Sequence, residues 1–163
     1  MFAWPKKPAS RQRPNHSRLI GLLDYWATRH LPRLASFFKG MSKAFRAIAI
    51  VDDDPSVLKA LARLLSTRSF NVRTYPSATQ FLASLPQGLP DYLIIDLQMP
   101  KMTGLELLQY LNYRGIKIPT IIITAHDEPG MRDRCKAAGS IAYLSKPLQE
   151  TSLFAAIDAA RTM

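Results

Sequence analysis

The chain has 163 residues and a net charge of +10, with 47% hydrophobic and 21% charged residues. These proportions are typical of a globular protein and exclude a chain that is disordered throughout. The single cysteine, Cys135, excludes an intrachain disulfide, and no apolar stretch reaches the roughly 20 residues that span a bilayer, so we expect a cytoplasmic protein without a membrane partner.

The positive charge is concentrated in the N-terminal part of the sequence. Residues 1–43 carry nine Lys and Arg against one Asp, a net +8, whereas residues 44–163 carry thirteen against eleven, a net +2. Residues 1–16 have the composition of a flexible arm, and residues 17–38 have the apolar spacing of a basic amphipathic helix. The alternative is that the translation start has been assigned too far upstream, because Met41 would be a natural first residue for the folded domain. We predict a basic extension over residues 1–43 and one folded domain over residues 44–163.

From residue 44 onward, short apolar runs alternate with helical patterns. The candidate strands are Ala47–Val51, Asn71–Tyr75, Tyr92–Asp96, Thr120–Thr124 and Ala142–Ser145. The first candidate helix begins at Pro55, and the other four cover residues near 78–85, 104–113, 128–138 and 149–161. Three strands are continuously apolar, as expected for parallel strands covered on both faces. Five strand–helix repeats predict an α/β fold with a doubly wound parallel sheet, in which ligands bind at the carboxyl ends of the strands.

Acidic residues stand at the carboxyl ends of two predicted strands. Asp52 and Asp53 follow the first strand, and Asp96 ends the third. If the sheet has the flavodoxin-like strand order 2-1-3-4-5, these strands are neighbours and the three carboxylates converge. Carboxylates at close range raise one another's pKa, and Mg²⁺, which prefers hard oxygen ligands, relieves that conflict. We interpret the next acidic residue, Asp54, as the N-cap of the first helix.

Polar residues also end the fourth and fifth strands, namely Thr124 and Lys146. A hydroxyl and an ammonium at one sheet edge can stabilise charge on phosphoryl oxygens. Each residue has an ordinary alternative, since a strand-end threonine often packs or caps and a surface lysine is usually solvated. Together with the three carboxylates, they predict a metal-assisted phosphoryl site.

Four segments resemble the receiver domain of bacterial two-component response regulators, over about residues 46–160. They are IAIVDDDPSV, YLIIDLQMPKMTGLELL, IPTIIITAHDE and AAGSIAYLSKPL, and they are most similar to receivers that precede LuxR-type output domains. The resemblance implies that Asp96 is the phosphoacceptor, which forms an acyl phosphate with a phosphoryl group from a sensor histidine kinase or a phosphotransfer protein. It also implies Mg²⁺ bound by Asp52, Asp53, Asp96 and the backbone carbonyl of Gln98.

The same resemblance implies roles for other residues of the site. Lys146 would pair with the phosphoryl group, and the peptide bond that follows it is typically cis in the family. Thr124 would hydrogen-bond a phosphoryl oxygen, and Tyr143 would rotate inward as Thr124 moves, although a half-buried strand aromatic is the alternative for Tyr143. Gln98 and His126 occupy positions where the family tunes dephosphorylation, and we assign no catalytic role to His126.

Three functions are compatible with these patterns. The first is a single-domain response regulator, not an enzyme, which signals through a phosphorylation-dependent protein contact or a homodimer formed by the fourth helix, fifth strand and fifth helix. Because the sequence ends at Met163, soon after the last helix, we expect no C-terminal DNA-binding domain. An aspartate-nucleophile phosphohydrolase would need a carboxylate at Gln98. A DNA-binding regulator acting through residues 1–43 lacks a helix-turn-helix pattern there, so nucleic acid is not an expected partner.

Overall fold

A computed structural model describes residues 46–160 of the chain. The predictions made for residues 1–43 lie outside these described residues. The strands are β1 (Ala47–Val51), β2 (Asn71–Tyr75), β3 (Tyr92–Asp96), β4 (Thr120–Thr124) and β5 (Ser140–Ser145). The helices are α1 (Pro55–Ser66), α2 (Ala78–Ser84), α3 (Gly104–Tyr113), α4 (Met131–Ala137) and α5 (Glu150–Ala160), and a short 3₁₀ helix (Leu85–Gln87) follows α2.

All strand pairs are parallel, and the order across the sheet is β2-β1-β3-β4-β5. The predicted flavodoxin-like order is therefore confirmed. Because Val51 of β1 lies opposite Ile95 of β3, the residues that follow them, Asp52 and Asp96, emerge side by side at the carboxyl edge. The sheet topology thus brings together two of the three predicted carboxylates before any side-chain contact is considered.

Two apolar clusters cover the two faces of the sheet. Successive residues of a strand point to opposite faces, so Ile48 and Ile50 belong to one cluster and Ala49 and Val51 to the other. The first cluster includes buried residues of α1 and α5, and the second includes buried residues of α2, α3 and α4. Every residue of β3 and β4 is buried, which explains their uninterrupted apolar sequences. No helix within residues 46–160 has the length and apolar character needed to cross a membrane.

Helix α1 begins as the sequence predicts. The Asp54 side chain accepts a hydrogen bond from the backbone N–H of Ser56 at 2.7 Å, and Pro55 occupies the first turn, where a missing N–H costs nothing. Leu58, Leu61 and Leu65 then form the buried face of the helix. The interpretation of Asp54 as an N-cap is confirmed.

Two predicted boundaries differ from the structure. Helix α4 begins at Met131 rather than near residue 128, because Gly130 precedes it with a φ of 76°, a left-handed conformation that cannot continue a right-handed helix. Strand β5 begins at Ser140 rather than Ala142. The register between β4 and β5 shifts between Thr120 and Ile121, so the early residues of β5 pair irregularly and their apolar pattern is interrupted.

Helix α3 starts directly against the strand end that carries Asp96. The Thr103 hydroxyl accepts a hydrogen bond from the Glu106 N–H, and the Glu106 carboxylate accepts one from the Thr103 N–H at 2.8 Å, which forms the predicted capping box. The first helical residue, Gly104, leaves no room for a side chain, since a Cβ there would collide with the backbone carbonyl oxygen of Asp96. The loop from Asp96 to Gly104 is therefore held close beneath the carboxyl edge.

Candidate functional site

One ammonium joins two buried carboxylates at the carboxyl edge of the sheet. The Lys146 Nζ atom lies 2.8 Å from Asp52 Oδ2 and 2.6 Å from Asp96 Oδ1. The side chains of Asp52 and Asp96 are 1% and 5% exposed, and that of Lys146 is 22% exposed. Its backbone N–H donates to the Thr124 carbonyl, which fixes the chain after β5, and the Lys146–Pro147 peptide bond is cis, as the family resemblance implied. We call Asp52, Asp96 and Lys146 the ionic triad.

The other oxygen of each carboxylate in the ionic triad is bound by backbone. Asp52 Oδ1 accepts a hydrogen bond from the Asp54 N–H at 2.9 Å, and Asp96 Oδ2 accepts one from the Gln98 N–H at 2.7 Å. Both bonds reach two residues forward, a local pattern that aspartate side chains adopt readily at turns. All four carboxylate oxygens therefore have a donor, and both side chains are fixed in orientation.

The pKa values of Asp96 and Lys146 are both raised, which disfavours the charged form of Asp96 and favours that of Lys146. Burial raises the pKa of Asp96 above its ordinary value of 3.8, the hydrogen bond and charge of Lys146 lower it only in part, and the nearby Asp52 raises it further. For Lys146, burial lowers the pKa, but hydrogen bonds and charge from Asp52 and Asp96 outweigh burial and leave it above its ordinary 10.5. Lys146 is thus firmly cationic at neutral pH, whereas ionisation of Asp96 is costly.

A pH-dependent stability follows from the raised pKa of Asp96. When the pKa of an acid is higher in the folded than in the unfolded state, folding becomes less favourable as the pH rises above the pKa of the unfolded state. We expect Asp96→Asn, which carries no charge, to unfold at a higher temperature than the native chain at pH 7. The two melting temperatures should converge as the pH falls towards 3.8. Thermal melts between pH 4 and 8 measure this difference, and a less stable variant at pH 7 would contradict the expectation.

Asp53 lies apart from the ionic triad. Its side chain is exposed and lines a cleft of about 800 Å³ together with Gln98 and Met99. Within residues 46–160, no three Asp, Glu, His or Cys side chains are grouped closely enough to hold a metal ion. The donor chemistry nevertheless fits Mg²⁺, because two buried carboxylates share a single ammonium, a third carboxylate follows directly in the chain, and all side-chain donors are oxygens.

The structure places Thr124 and Tyr143 inside the domain. Thr124 is fully buried, and its hydroxyl donates to the His126 carbonyl at 2.8 Å and accepts from the His126 N–H at 3.2 Å, so it contacts the loop after β4. Tyr143 of β5 is 7% exposed. Its hydroxyl is buried and has no hydrogen-bond partner among the described residues. The ring therefore already lies inward, while the Thr124 hydroxyl points to its own loop.

Sequence reasoning missed a contact across the mouth of the site. Gln98 Oε1 and His126 Nδ1 lie 3.1 Å apart and connect the loop after β3 with the loop after β4. Each residue stands two positions after a strand-end residue of the site, Asp96 or Thr124, on neighbouring strands. That equal spacing was the signal in the sequence that could have predicted their proximity.

Comparisons with known proteins agree with this architecture. The family model described as the response regulator receiver domain matches residues 48–158. The transcriptional regulatory protein FixJ of Rhizobium meliloti is 39% identical over 113 residues, which cover 69% of this chain and 55% of FixJ. The response regulator protein TodT of Pseudomonas putida is 36% identical over 120 residues, which cover 74% of this chain and 53% of TodT. The chain thus spans about half the length of the curated relatives it matches.

Solved structures show the same fold. The crystal structure of FixJ-N is similar with a TM-score of 0.66 and 38% identity, and covers 71% of this chain and 92% of that one. The structure of the response regulator StyR has a TM-score of 0.67 and 37% identity, and covers 72% of this chain and 59% of that one. Because the family model spans more than half of the sequence, the chain belongs to the response regulator receiver domain family of two-component signalling proteins.

Proposed function

We propose that this receiver accepts a phosphoryl group on Asp96 from a sensor histidine kinase or a phosphotransfer protein. The observation that carries the proposal is the ionic triad, in which a fixed, buried carboxylate at a strand end meets a firmly cationic lysine. A carboxylate oxygen of Asp96 attacks the phosphorus of a phosphohistidine, an O–P bond forms and the P–N bond breaks. The electron pair leaves with the imidazole nitrogen, and the product is an aspartyl phosphate.

The neighbouring residues supply charge and orientation. The Gln98 N–H holds one carboxylate oxygen of Asp96, and Lys146 remains close enough to neutralise negative charge that arrives on a phosphoryl group. Asp52, Asp53, Asp96 and the backbone carbonyl of Gln98 would hold Mg²⁺, which supplies positive charge next to the phosphoryl oxygens when bound.

The signal passes from Asp96 to a protein surface. The Thr124 hydroxyl exchanges its hydrogen bonds to His126 for one to the phosphoryl group, which moves the loop between β4 and α4. The surface formed by α4, β5 and α5 then changes in its contacts with a downstream protein or with a second copy of the chain. The two relatives compared above are named as regulators, which supports a signalling output rather than turnover of a substrate.

The phosphohydrolase alternative has less support. It requires an acid two residues after the nucleophile, but Gln98 stands there, and its amide oxygen lies beside His126. With glutamine at this position, the site lacks the proton donor that such a phosphohydrolase uses.

Incubation with acetyl phosphate tests the proposal. We expect the purified chain to gain one phosphoryl group per molecule in the presence of Mg²⁺ and none after the metal is removed by EDTA. Intact mass spectrometry measures the uptake. Reduction of the acyl phosphate with borohydride, which converts the modified aspartate to homoserine, maps the position. Labelling at a residue other than Asp96, or equal labelling with EDTA, would contradict the proposal.

A further inference from the structure

We propose that Arg132 is a positioning residue that holds Tyr143 turned into the domain before any phosphoryl group is bound. The proposal rests on the proposed function only where it concerns signalling, because the contacts themselves belong to the chain without phosphate. Arg132 lies in the first turn of α4, and Tyr143 lies in β5, next to it on the same side of the domain.

Arg132 makes three contacts with a single guanidinium group. Its Nη1 atom donates to the Tyr143 carbonyl oxygen at 3.1 Å, and its Cζ atom lies 4.7 Å from the centroid of the Tyr143 ring. Its Nη2 atom is 3.5 Å from Asp127 Oδ2, in the loop that leads from β4 to α4. A planar guanidinium is suited to stack on an aromatic face while its N–H groups bond elsewhere. The same side chain therefore connects α4, the loop and β5.

The inward position of Tyr143 needs such support. A buried tyrosine hydroxyl usually finds a hydrogen-bond partner, and burial without one is unfavourable because its bonds to water are lost. The Tyr143 hydroxyl has no partner within residues 46–160, whereas an outward ring would regain water. Burial raises the pKa of Tyr143, and the Asp127 carboxylate, which lies near the hydroxyl without making a hydrogen bond of regular geometry to it, raises it further, so the buried hydroxyl stays protonated and neutral. Packing in the core and the stacked Arg132 are the contacts that offset the lost hydrogen bonds.

This arrangement predicts how Arg132 affects the reaction. If phosphorylation favours the inward ring, then by reciprocity an inward ring favours phosphorylation. Arg132 holds one half of the switch in place, so only the Thr124 hydroxyl has to change its partner. Loss of Arg132 is therefore expected to lower the extent of Asp96 phosphorylation at equilibrium without touching the ionic triad.

Nitration with tetranitromethane tests the position of Tyr143 in the full-length, unphosphorylated chain. Tyr113, which is 88% exposed, serves as the internal reference for a freely reactive ring, and Tyr92, which is 3% exposed, as the reference for a buried one. Peptide mass spectrometry gives the extent of nitration at each tyrosine. We expect Tyr143 to be protected like Tyr92 in the native chain. In Arg132→Ala its nitration relative to Tyr113 should rise about two- to fivefold, the factor that one cation–π contact at an exposed site supplies.

Two further variants separate positioning from a loss of charge. Arg132→Lys keeps the charge but not the planar fork, so we expect Tyr143 to be intermediate in reactivity. Lys136→Ala removes an exposed cation from the same helix and should leave Tyr143 protected. The extent of phosphorylation reached with acetyl phosphate should fall in the same order, with Arg132→Ala lowest.

The proposal would be overturned if Tyr143 is as well protected in Arg132→Ala as in the native chain. It would also be overturned if both Tyr92 and Tyr143 become exposed, because that result indicates general unfolding. Because nitration requires no phosphate, this result is independent of the test of Asp96. A native chain that takes up no phosphate but in which Arg132→Ala exposes Tyr143 would contradict the proposed function and leave the role of Arg132 intact.

Discussion

Replacing Asp96 by asparagine is expected to abolish phosphorylation by acetyl phosphate. The amide has nearly the shape of the carboxylate but lacks the anionic oxygen that attacks phosphorus, so no acyl phosphate can form. Lys146 keeps its bond to Asp52, so the surroundings of the site persist in the variant. Intact mass spectrometry after incubation with acetyl phosphate and Mg²⁺ should show complete loss of the phosphorylated species.

Asp54→Asn is the matched control for this prediction. Asp54 belongs to the same acidic run as Asp52 and Asp53, but its side chain caps α1 through the Ser56 N–H. Asparagine caps helices about as well as aspartate, so this variant should fold and label like the native chain. Undiminished labelling of Asp96→Asn would refute the assignment of the phosphoacceptor. Loss of labelling in Asp54→Asn as well would show that the Asp54 carboxylate is also required.

Gly104→Ala is expected to destabilise the domain and to impair phosphorylation together. The added Cβ would collide with the Asp96 carbonyl oxygen and lie 3.0 Å from Leu97 Cα, and backbone atoms cannot move aside as a flexible side chain can. Overpacking of this kind costs about 1–3 kcal/mol, and we expect the upper end here because the obstacle is backbone. The gain in helix propensity, about 1 kcal/mol, is too small to offset it. Urea denaturation measures the loss of stability.

Gly115→Ala separates the collision from ordinary glycine effects. Nothing lies within 4 Å of a Cβ at Gly115, but its φ of 69° is left-handed, which costs about 1–2 kcal/mol for alanine. This variant should therefore lose stability but keep its rate of phosphorylation at temperatures where it is folded. If Gly104→Ala phosphorylates as fast as Gly115→Ala, the close approach of α3 does not position Asp96.

The fold could be predicted from the sequence because local and global requirements agree. The runs YLIID and TIIIT are apolar throughout, and the structure buries every residue of both strands. The helix starts at Pro55 and Gly104 follow from capping residues that need only local contacts. The boundaries that differ, at Gly130 and Ser140, depend on a backbone dihedral and on an irregular pairing with β4, which a periodic pattern does not encode.

The site was predictable in part for a similar reason. Residues at strand ends necessarily meet at one edge of a parallel sheet, so Asp52, Asp96 and Lys146 could be grouped before the structure was known. That Lys146 bonds both carboxylates at once, while Asp53 faces the neighbouring cleft, depends on side-chain conformations that strand position leaves open.

By itself, the sequence determined the alternation of strands and helices and which charged and polar residues stand at the strand ends, because hydrophobic periodicity and capping act over a few residues. Tertiary structure alone decided which distant side chains touch. The equal spacing of Gln98 and His126 after their strand ends places them near each other, but their contact depends on loop conformation, and no local pattern encodes the stacking of Arg132 on Tyr143. The charged and polar groups of the site follow from the strand ends, and the contacts that join α4 to β5 follow from packing.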